Sequence, residues 1–261
     1  MNWLPRISPL FFRILQRNWQ VLERTWKINF LPPILEPIFY LLAFGAGLGV
    51  LVRNITYQGV SISYVTYIAP AIISINIMNN AFFENTFASF VRMYYQKTFD
   101  AILATPINLD EIIAGEIIWG AAKSLLATIL MVLVVSLFGL LTYPQSLLML
   151  PLAFLGGLAF GAVGMCFTAV VPTIEVFNLP VFLFLTPMFL FSGTFFPLET
   201  LPSWAQTLAL TLPLTHLVAL VRSLALGKLR GGLLVNLIYL VLFTAVTFFS
   251  AIVLMRRRLI K

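Results

Sequence analysis

Charge is what this sequence has least of. Only 10% of its 261 residues are Asp, Glu, Lys or Arg, while 61% are hydrophobic. An ordinary soluble domain carries about 25% charged residues. So few charges cannot cover the surface of a globular protein in water. That excludes a cytosolic globular enzyme, a disordered chain and a free nucleic-acid binder. Cysteine and histidine are nearly absent too. The lone Cys166 excludes a disulfide framework and any Cys-based metal site. His216, the one histidine, cannot build a His-rich metal site. No G-x-x-x-x-G-K-[ST] run occurs, since Gly227-Lys228 lacks the rest of it, so no P-loop for ATP is expected. Ser192-Gly193 together with His216 lacks the glycine-framed nucleophile turn of a serine hydrolase. Residues 1–29 carry too many interspersed charges for a cleavable signal sequence.

Long apolar runs fill the space that charge leaves. A helix crosses the hydrocarbon core in about 20 mostly apolar residues. Residues 30–52 form one such run, broken only by Glu36, Pro32-Pro33 and Pro37. Residues 62–90 form the second, with Glu84 near its end. No charge lies between Lys123 and Glu175, a stretch too long for one helix. A turn at Leu141-Thr142-Tyr143-Pro144-Gln145 divides it into spans near 114–139 and 147–171. A fifth span covers residues 176–191 and a sixth 233–255. The apolar stretch 200–227 differs, because Pro197, Pro202 and Pro213 cut it into pieces too short to span. It is expected to form two short helices that dip into the membrane.

The expected fold is therefore an all-α integral membrane protein. It has six transmembrane helices, an N-terminal amphipathic interfacial helix over residues 1–29, and a re-entrant helix pair over about 197–227, before the last span. Residues 30–261 form the transmembrane domain. Lys and Arg set the orientation. Arg6, Arg13, Arg17, Arg24 and Lys27, then Arg92, Lys97 and Lys123, then Arg256, Arg257, Arg258 and Lys261 fall on one side; Arg53, Arg222, Lys228 and Arg230 fall on the other. Both termini are thus expected in the cytoplasm. The net charge of +7 suits basic loops beside anionic lipid.

Within residues 10–27, Phe11, Leu15, Trp19, Leu22 and Trp26 recur at steps of three or four, opposite Arg13, Arg17, Gln20, Arg24 and Lys27. That pattern makes an interfacial helix, either a topology anchor or a moving element. The second span carries a polar stripe of Ser74, Asn76, Asn79, Asn80, Glu84, Asn85 and Ser89. Asn76, Asn80 and Glu84 stand four apart and share one face. Amides are costly in hydrocarbon, so this face looks at protein or at a wet cavity. A translocation path suits Asn76 and Asn80; interhelical hydrogen bonding suits Asn79 and Asn85. Glu84 lies near the cytoplasmic end and is placed to pair with a basic loop residue. Between the second and third spans, residues 96–103 can form about two turns of amphipathic helix, ended by Thr105-Pro106. Asn108 with Glu111 three residues later then imitates a capping box. The short helix is either a lever for a cytoplasmic partner or an ordinary interfacial loop. Gly45 and Gly49, and Gly157, Gly161 and Gly164, stand at helix-packing spacing.

Several blocks together resemble the permease subunits of type 2 ABC exporters, in particular the nodulation-factor (lipo-oligosaccharide) export permeases of the nodulation protein J type, with drug-export permeases nearby. They are Glu36-Pro37-Ile38-Phe39-Tyr40-Leu41 with Gly45-Ala46-Gly47-Leu48-Gly49, Thr98-Phe99-Asp100-Ala101-Ile102-Leu103-Ala104-Thr105-Pro106, and Gly115-Glu116-Ile117-Ile118-Trp119. Phe191-Ser192-Gly193-Thr194-Phe195-Phe196-Pro197-Leu198, Leu201-Pro202, Leu212-Pro213-Leu214-Thr215-His216, Arg222 and Arg256-Arg257-Arg258-Leu259 complete them. The resemblance covers nearly the whole chain and implies a bacterial inner-membrane exporter of amphiphilic cargo. The cargo classes are lipo-oligosaccharide, polysaccharide precursor, lipid or drug.

It also implies a homodimer, a separate ATPase subunit that carries the ATP and magnesium, and no cofactor in this chain. A coupling helix over about 96–104 would present Gln96, Lys97, Thr98, Phe99, Asp100 and Leu103 to the ATPase. Spans one, two and five would line the path, with Asn76, Asn80 and Glu84 beside Phe39, Tyr40 and Phe189. The aromatic residues there, with Phe82, Phe83, Phe195 and Phe196, would stack on cargo or simply pack against core and lipid. Ser192, Gly193, Phe196, Pro197 and His216 would belong to an outer gate. The expected partners are the ATPase, a second permease copy and membrane lipid, with no nucleic acid. The competing reading is an ATP-independent secondary transporter or channel, for which Glu84 and Glu175 would couple ions.

Overall fold

The protein is described here by a computed structural model covering residues 7–49, 52, 54–228 and 232–260. Arg6, Arg53, Arg230 and Lys261, which entered the charge count, lie outside the described residues. The chain begins with helix α1 (Phe11–Gly45). An antiparallel hairpin of β1 (Asn54–Tyr57) and β2 (Val60–Ser63) leads into α2 (Tyr64–Tyr95). The short helix α3 (Thr98–Leu103) precedes α4 (Leu109–Leu137), α5 (Gln145–Val170) and α6 (Ile174–Phe191). Next come α7 (Ser203–Thr211) and α8 (Pro213–Ala225), which meet at a bend of 87°, and α9 (Leu233–Leu259) closes the chain. Six of these helices are long and apolar enough to cross a membrane, and the bent pair stands where the re-entrant segment is expected, before the last span.

One expected boundary is not there. Residues 10–29 and the first span form a single helix that runs through Pro32, Pro33 and Pro37. Each proline deprives the carbonyl four residues earlier of its usual donor. Membrane helices tolerate this because neighbouring groups re-satisfy the backbone. The packed face of α1 also differs from the aromatic stripe. Ile14, Asn18 and Leu22 are buried, whereas Trp19 and Trp26 are about half exposed. The reason lies on α4: a Cβ at Gly115 would stand 2.7 Å from Cβ of Ile14, so the two helices touch there, and Glu116 receives the amide of Asn18.

α2 is the central column, buried along most of its length, with α4, α5 and α8 packed around it. Small residues permit this. A Cβ on Gly157 would lie 2.7 Å from Cα of Ala121, so α5 and α4 meet backbone to backbone. A Cβ on Gly120 would lie 1.9 Å from the amide nitrogen of Asn85. Asn85 is thus wedged between α4 and α5, where its Nδ2 donates to Ala81 O and its own carbonyl accepts from Thr168 Oγ1 at 2.7 Å. The side-chain amide thus bonds within its own helix, and the link to α5 runs through the backbone carbonyl rather than through the amide expected to make it. A wide π turn over Glu84–Ala88 shifts the helix phase here.

The start of α4 bears the expected capping box. Asn108 Oδ1 accepts from the Glu111 amide at 3.1 Å, and Glu111 Oε2 accepts from the Asn108 amide at 2.8 Å. Glu111 also takes the Ser8 amide at 3.1 Å. Asp110 pairs with Arg256, and Arg258 donates to Val171 O at 2.7 Å. The start of α1, the end of α2, the start of α4 and the end of α9 therefore gather at one end of the bundle. At the other end sits the hairpin, turned by Gln58 and Gly59 at φ 53° and 78°.

Candidate functional site

Two adjoining cavities open along the seam between α1 and α2. The first, about 400 Å3, is lined by Arg17, Asn18, Thr25, Gln96, Trp119 and neighbours. The second, about 480 Å3, is lined by Pro32, Pro33, Glu36, Asn76, Asn79, Asn80, Phe83 and Phe87 among others. Asn29, Glu84, Ala88 and Lys123 belong to both walls. Together they make one polar groove that starts beside Gln96, just before α3, and reaches Asn76. Asn76 stands 12 residues from the opposite end of α2 at Tyr64, about 18 Å at 1.5 Å per residue.

The far end of the groove is an ordered chain of amides. Asn80 Nδ2 donates to Asn76 Oδ1 at 2.9 Å, and Asn76 Nδ2 donates to Glu36 Oε2 at 2.9 Å. Glu36, seen in the sequence only as a break in the first span, thereby joins α1 to α2. Asn79 lines the same cavity, so three of the stripe's amides face space and Asn85 faces protein.

Near the α3 end the groove wall is a charge network. Arg92 Nη1 reaches Glu84 at 2.8 Å and its Nε reaches Glu116 at 2.9 Å. Lys123 Nζ holds the other Glu84 oxygen at 2.8 Å. Ser89 Oγ and Asn18 Nδ2 also donate to Glu116, at 2.6 and 3.2 Å. The pairing expected of Glu84 is present, but its partners are not loop residues. α2 continues to Tyr95 and so carries Arg92, and Lys123 lies in mid-α4. Paired charges inside a helix bundle satisfy one another where water is scarce. Glu84 is therefore a poor ion-coupling group, and Glu175 is exposed on the surface.

α3 begins six residues after Arg92. Lys97 takes a left-handed conformation (φ 53°), which turns the chain sharply into the helix. Phe99 is 1% exposed and packs with Phe90, Met93, Ile112 and Ile113. It anchors the helix from beneath, so it is not available to a partner. Gln96, Lys97, Asp100 and Leu103 are exposed and Thr98 is partly so. Lys97 Nζ lies 3.9 Å from Asp100.

The aromatic candidates do not share one place. Tyr40 stacks on Phe44, which meets Phe195, which in turn meets Phe189 at 4.9 Å. Phe39 points away and is 63% exposed. Nor do the proposed gate residues form one cluster. Ser192, Gly193 and Pro197 are buried and Phe196 is exposed. Gly193 turns at φ 67°, and its carbonyl accepts both Tyr67 OH and Arg222 Nη2 at 2.8 Å. Arg222 is buried, donates to Tyr67 O at 3.2 Å, and lies 3.8 Å from the Tyr67 ring centroid and 5.3 Å from that of Tyr57. It pins hairpin, α2 and the α6–α7 connection together. His216 stacks on Tyr239 at 3.9 Å, with Nδ1 2.7 Å from Asn236 Oδ1 and Nε2 3.0 Å from Leu210 O. It ties α8 to α9, a structural role. Glu116, Asn18 and Lys123 were missed as site residues because their partners lie on other helices.

With the geometry in hand, comparison with known proteins is informative. Residues 9–226 match the family model described as ABC-2 type transporter. Nodulation protein J of Sinorhizobium fredii (strain NBRC 101917 / NGR234) is 34% identical, over 95% of this chain and 93% of that protein. Nodulation protein J of Rhizobium leguminosarum bv. trifolii is 33% identical over 99% and 97%. The inner membrane transport permease YadH of Escherichia coli (strain K12) is 26% identical over 75% of each chain.

Proposed function

The chain belongs to the ABC-2 type transporter family, and from that premise we propose that it is the membrane-spanning permease subunit of an ATP-driven exporter. The observation that carries the reading is the polar groove. It starts beside the short anchored helix α3 and runs between two spanning helices toward their middle. A second copy would complete the path across the outward faces of α1 and α6. ATP and magnesium would sit on a separate ATPase docked on α3, at the end of the bundle that holds both termini. That end would face the cytoplasm of a bacterium and the chain would lie in its inner membrane, in contact with lipid.

Coupling then follows from differential affinity. ATP moves the permease only if the ATPase pair binds one permease conformation better than the other. α3 is suited to report that difference, since Phe99 ties it to α4 and Arg92, six residues before α3 begins, ties α2 to α4. A cargo with an apolar part and a polar part suits this path. Lipo-oligosaccharide, polysaccharide precursor, lipid and drug remain the classes, the first favoured by the nodulation protein J likeness.

The test is affinity purification of the full chain from its native membrane in mild detergent. A stoichiometric P-loop ATPase should accompany it and should be lost on Lys97→Glu with Asp100→Lys. A chain that purifies alone and moves solute in liposomes without nucleotide would overturn the proposal.

A further inference from the structure

The two halves of the groove differ in charge. Near α3, Glu84 and Glu116 are matched by Arg92 and Lys123 at hydrogen-bonding distance. At the far end, Glu36 makes no ion pair among the described residues; its partner is the neutral amide of Asn76. Lys123 lines the same cavity, but Glu84 holds its ammonium at 2.8 Å. A carboxylate inside a membrane bundle with no cation of its own marks a site for one that arrives from outside.

The rest of that cavity has the matching chemistry. The Asn80-to-Asn76-to-Glu36 chain uses one amide nitrogen of each asparagine as donor, which leaves the second carboxylate oxygen of Glu36 and the Asn80 oxygen as acceptors. The rings of Phe83 and Phe87 line the wall, 5.8 Å apart. Aromatic faces attract ammonium groups, most strongly where water is excluded. Acceptors, a carboxylate and aromatic rings together favour a cationic donor and disfavour an anion.

We infer that the end of the α1–α2 groove away from α3 is a subsite for the ammonium group of a cationic amphiphile, with Glu36 as its counter-ion. The inference rests on reading the groove as the cargo path. The arriving ammonium displaces the Asn76 amide from Glu36 and so loosens the hydrogen bond that joins α1 to α2. Its alkyl chain extends over the apolar surface of α1.

The experiment needs no nucleotide and no ATPase, so its failure is distinct from failure of the exporter reading. Binding of radiolabelled n-decylammonium to the full chain in lipid nanodiscs is measured, with empty nanodiscs subtracted. Saturable binding is expected, displaced by unlabelled n-decylammonium but not by equal concentrations of decanoate or decyl glucoside. Glu36→Gln should weaken it at least tenfold, and Glu36→Asp should restore most of it. Equal displacement by decanoate or decyl glucoside overturns the inference in the unmodified protein, whatever the variants do. Unchanged affinity in a folded Glu36→Gln chain overturns it as well.

Discussion

Arg92 is the place to test how the groove wall is held. It bridges Glu84 on its own helix and Glu116 on α4, with side chains only 13%, 6% and 1% exposed. Replacing it by methionine keeps an unbranched apolar stem and removes the charge. Glu84 still has Lys123. Glu116 loses its ion-pair partner and keeps Ser89 Oγ, Asn18 Nδ2 and the nearby charge of Arg17. Removing one partner of a buried pair costs about 3–5 kcal/mol. The remaining donors place Arg92→Met at the lower end, about 3 kcal/mol. Replacing the whole pair by apolar residues is often neutral. The double variant Arg92→Met, Glu116→Leu should therefore cost less than Arg92→Met alone. The assay is denaturant unfolding of the full chain in mild detergent, followed by tryptophan fluorescence and analysed as a double-mutant cycle. If Arg92→Met costs under about 1 kcal/mol, or if the two single costs simply add, the network does not hold α2 to α4.

Other outcomes follow from single contacts. Gly157→Ala puts a methyl 2.7 Å from the Ala121 backbone and should cost about 1–3 kcal/mol of unfolding free energy. Gly47→Ala, with nothing within 4 Å, should stay within about 0.5 kcal/mol. Phe99→Ala empties a buried anchor and should lower stability by about 3 kcal/mol. Asp100→Lys, on the exposed face of α3, should leave melting unchanged and reduce retention of the ATPase on the affinity column. Arg222→Met removes a donor from the Gly193 carbonyl, and hydrogen exchange of amides 193–200 should accelerate while α4 and α5 keep their protection.

The spans, the bent pair before the last helix and the capping box at Asn108 were legible because each rests on local composition or spacing. So was the polar stripe of α2, since amides at steps of four share a face. The sequence did not reveal which stripe residues meet space. Asn79 and Asn85 read alike, and only the glycines at 120, 161 and 164 on two other helices decide that Asn85 is wedged in protein. Glu36 looked like an interruption because its partner Asn76 lies 40 residues on. The hairpin went unseen although Gln58-Gly59 between Ile55, Thr56, Tyr57 and Val60 carried the signal. Trp19 and Trp26 misled for a different reason. A helix buries the face that its neighbour can accommodate, and Gly115 with Glu116 made room for Ile14 and Asn18 instead.

The seam between α1 and α2 differs in kind from the other helix contacts. α2, α4 and α5 meet through glycine and alanine against backbone and bury a continuous apolar cluster. Pulling them apart would expose that surface at roughly 25 cal/mol per Å2. α1 instead packs on α4 near Ile14 and Gly115, and farther along it faces α2 across a polar groove. Among the described residues one hydrogen bond, Asn76 to Glu36, joins α1 to α2. Pro32, Pro33 and Pro37 weaken the helix's own ladder at this level. Parting α1 from α2 along the groove breaks one neutral-to-charged hydrogen bond, a cost of about 1.5–3 kcal/mol, while beyond the groove Leu41, Tyr40 and Phe44 still pack on the cluster that holds Tyr64 and Ile68. Transport complexes work with differential binding energies of this order or larger. The groove stretch of the seam is therefore its weaker part, held between the apolar contact at Leu41 and Phe44 and the contact of Ile14 with Gly115, and the core of α2, α4 and α5 is the frame beside it.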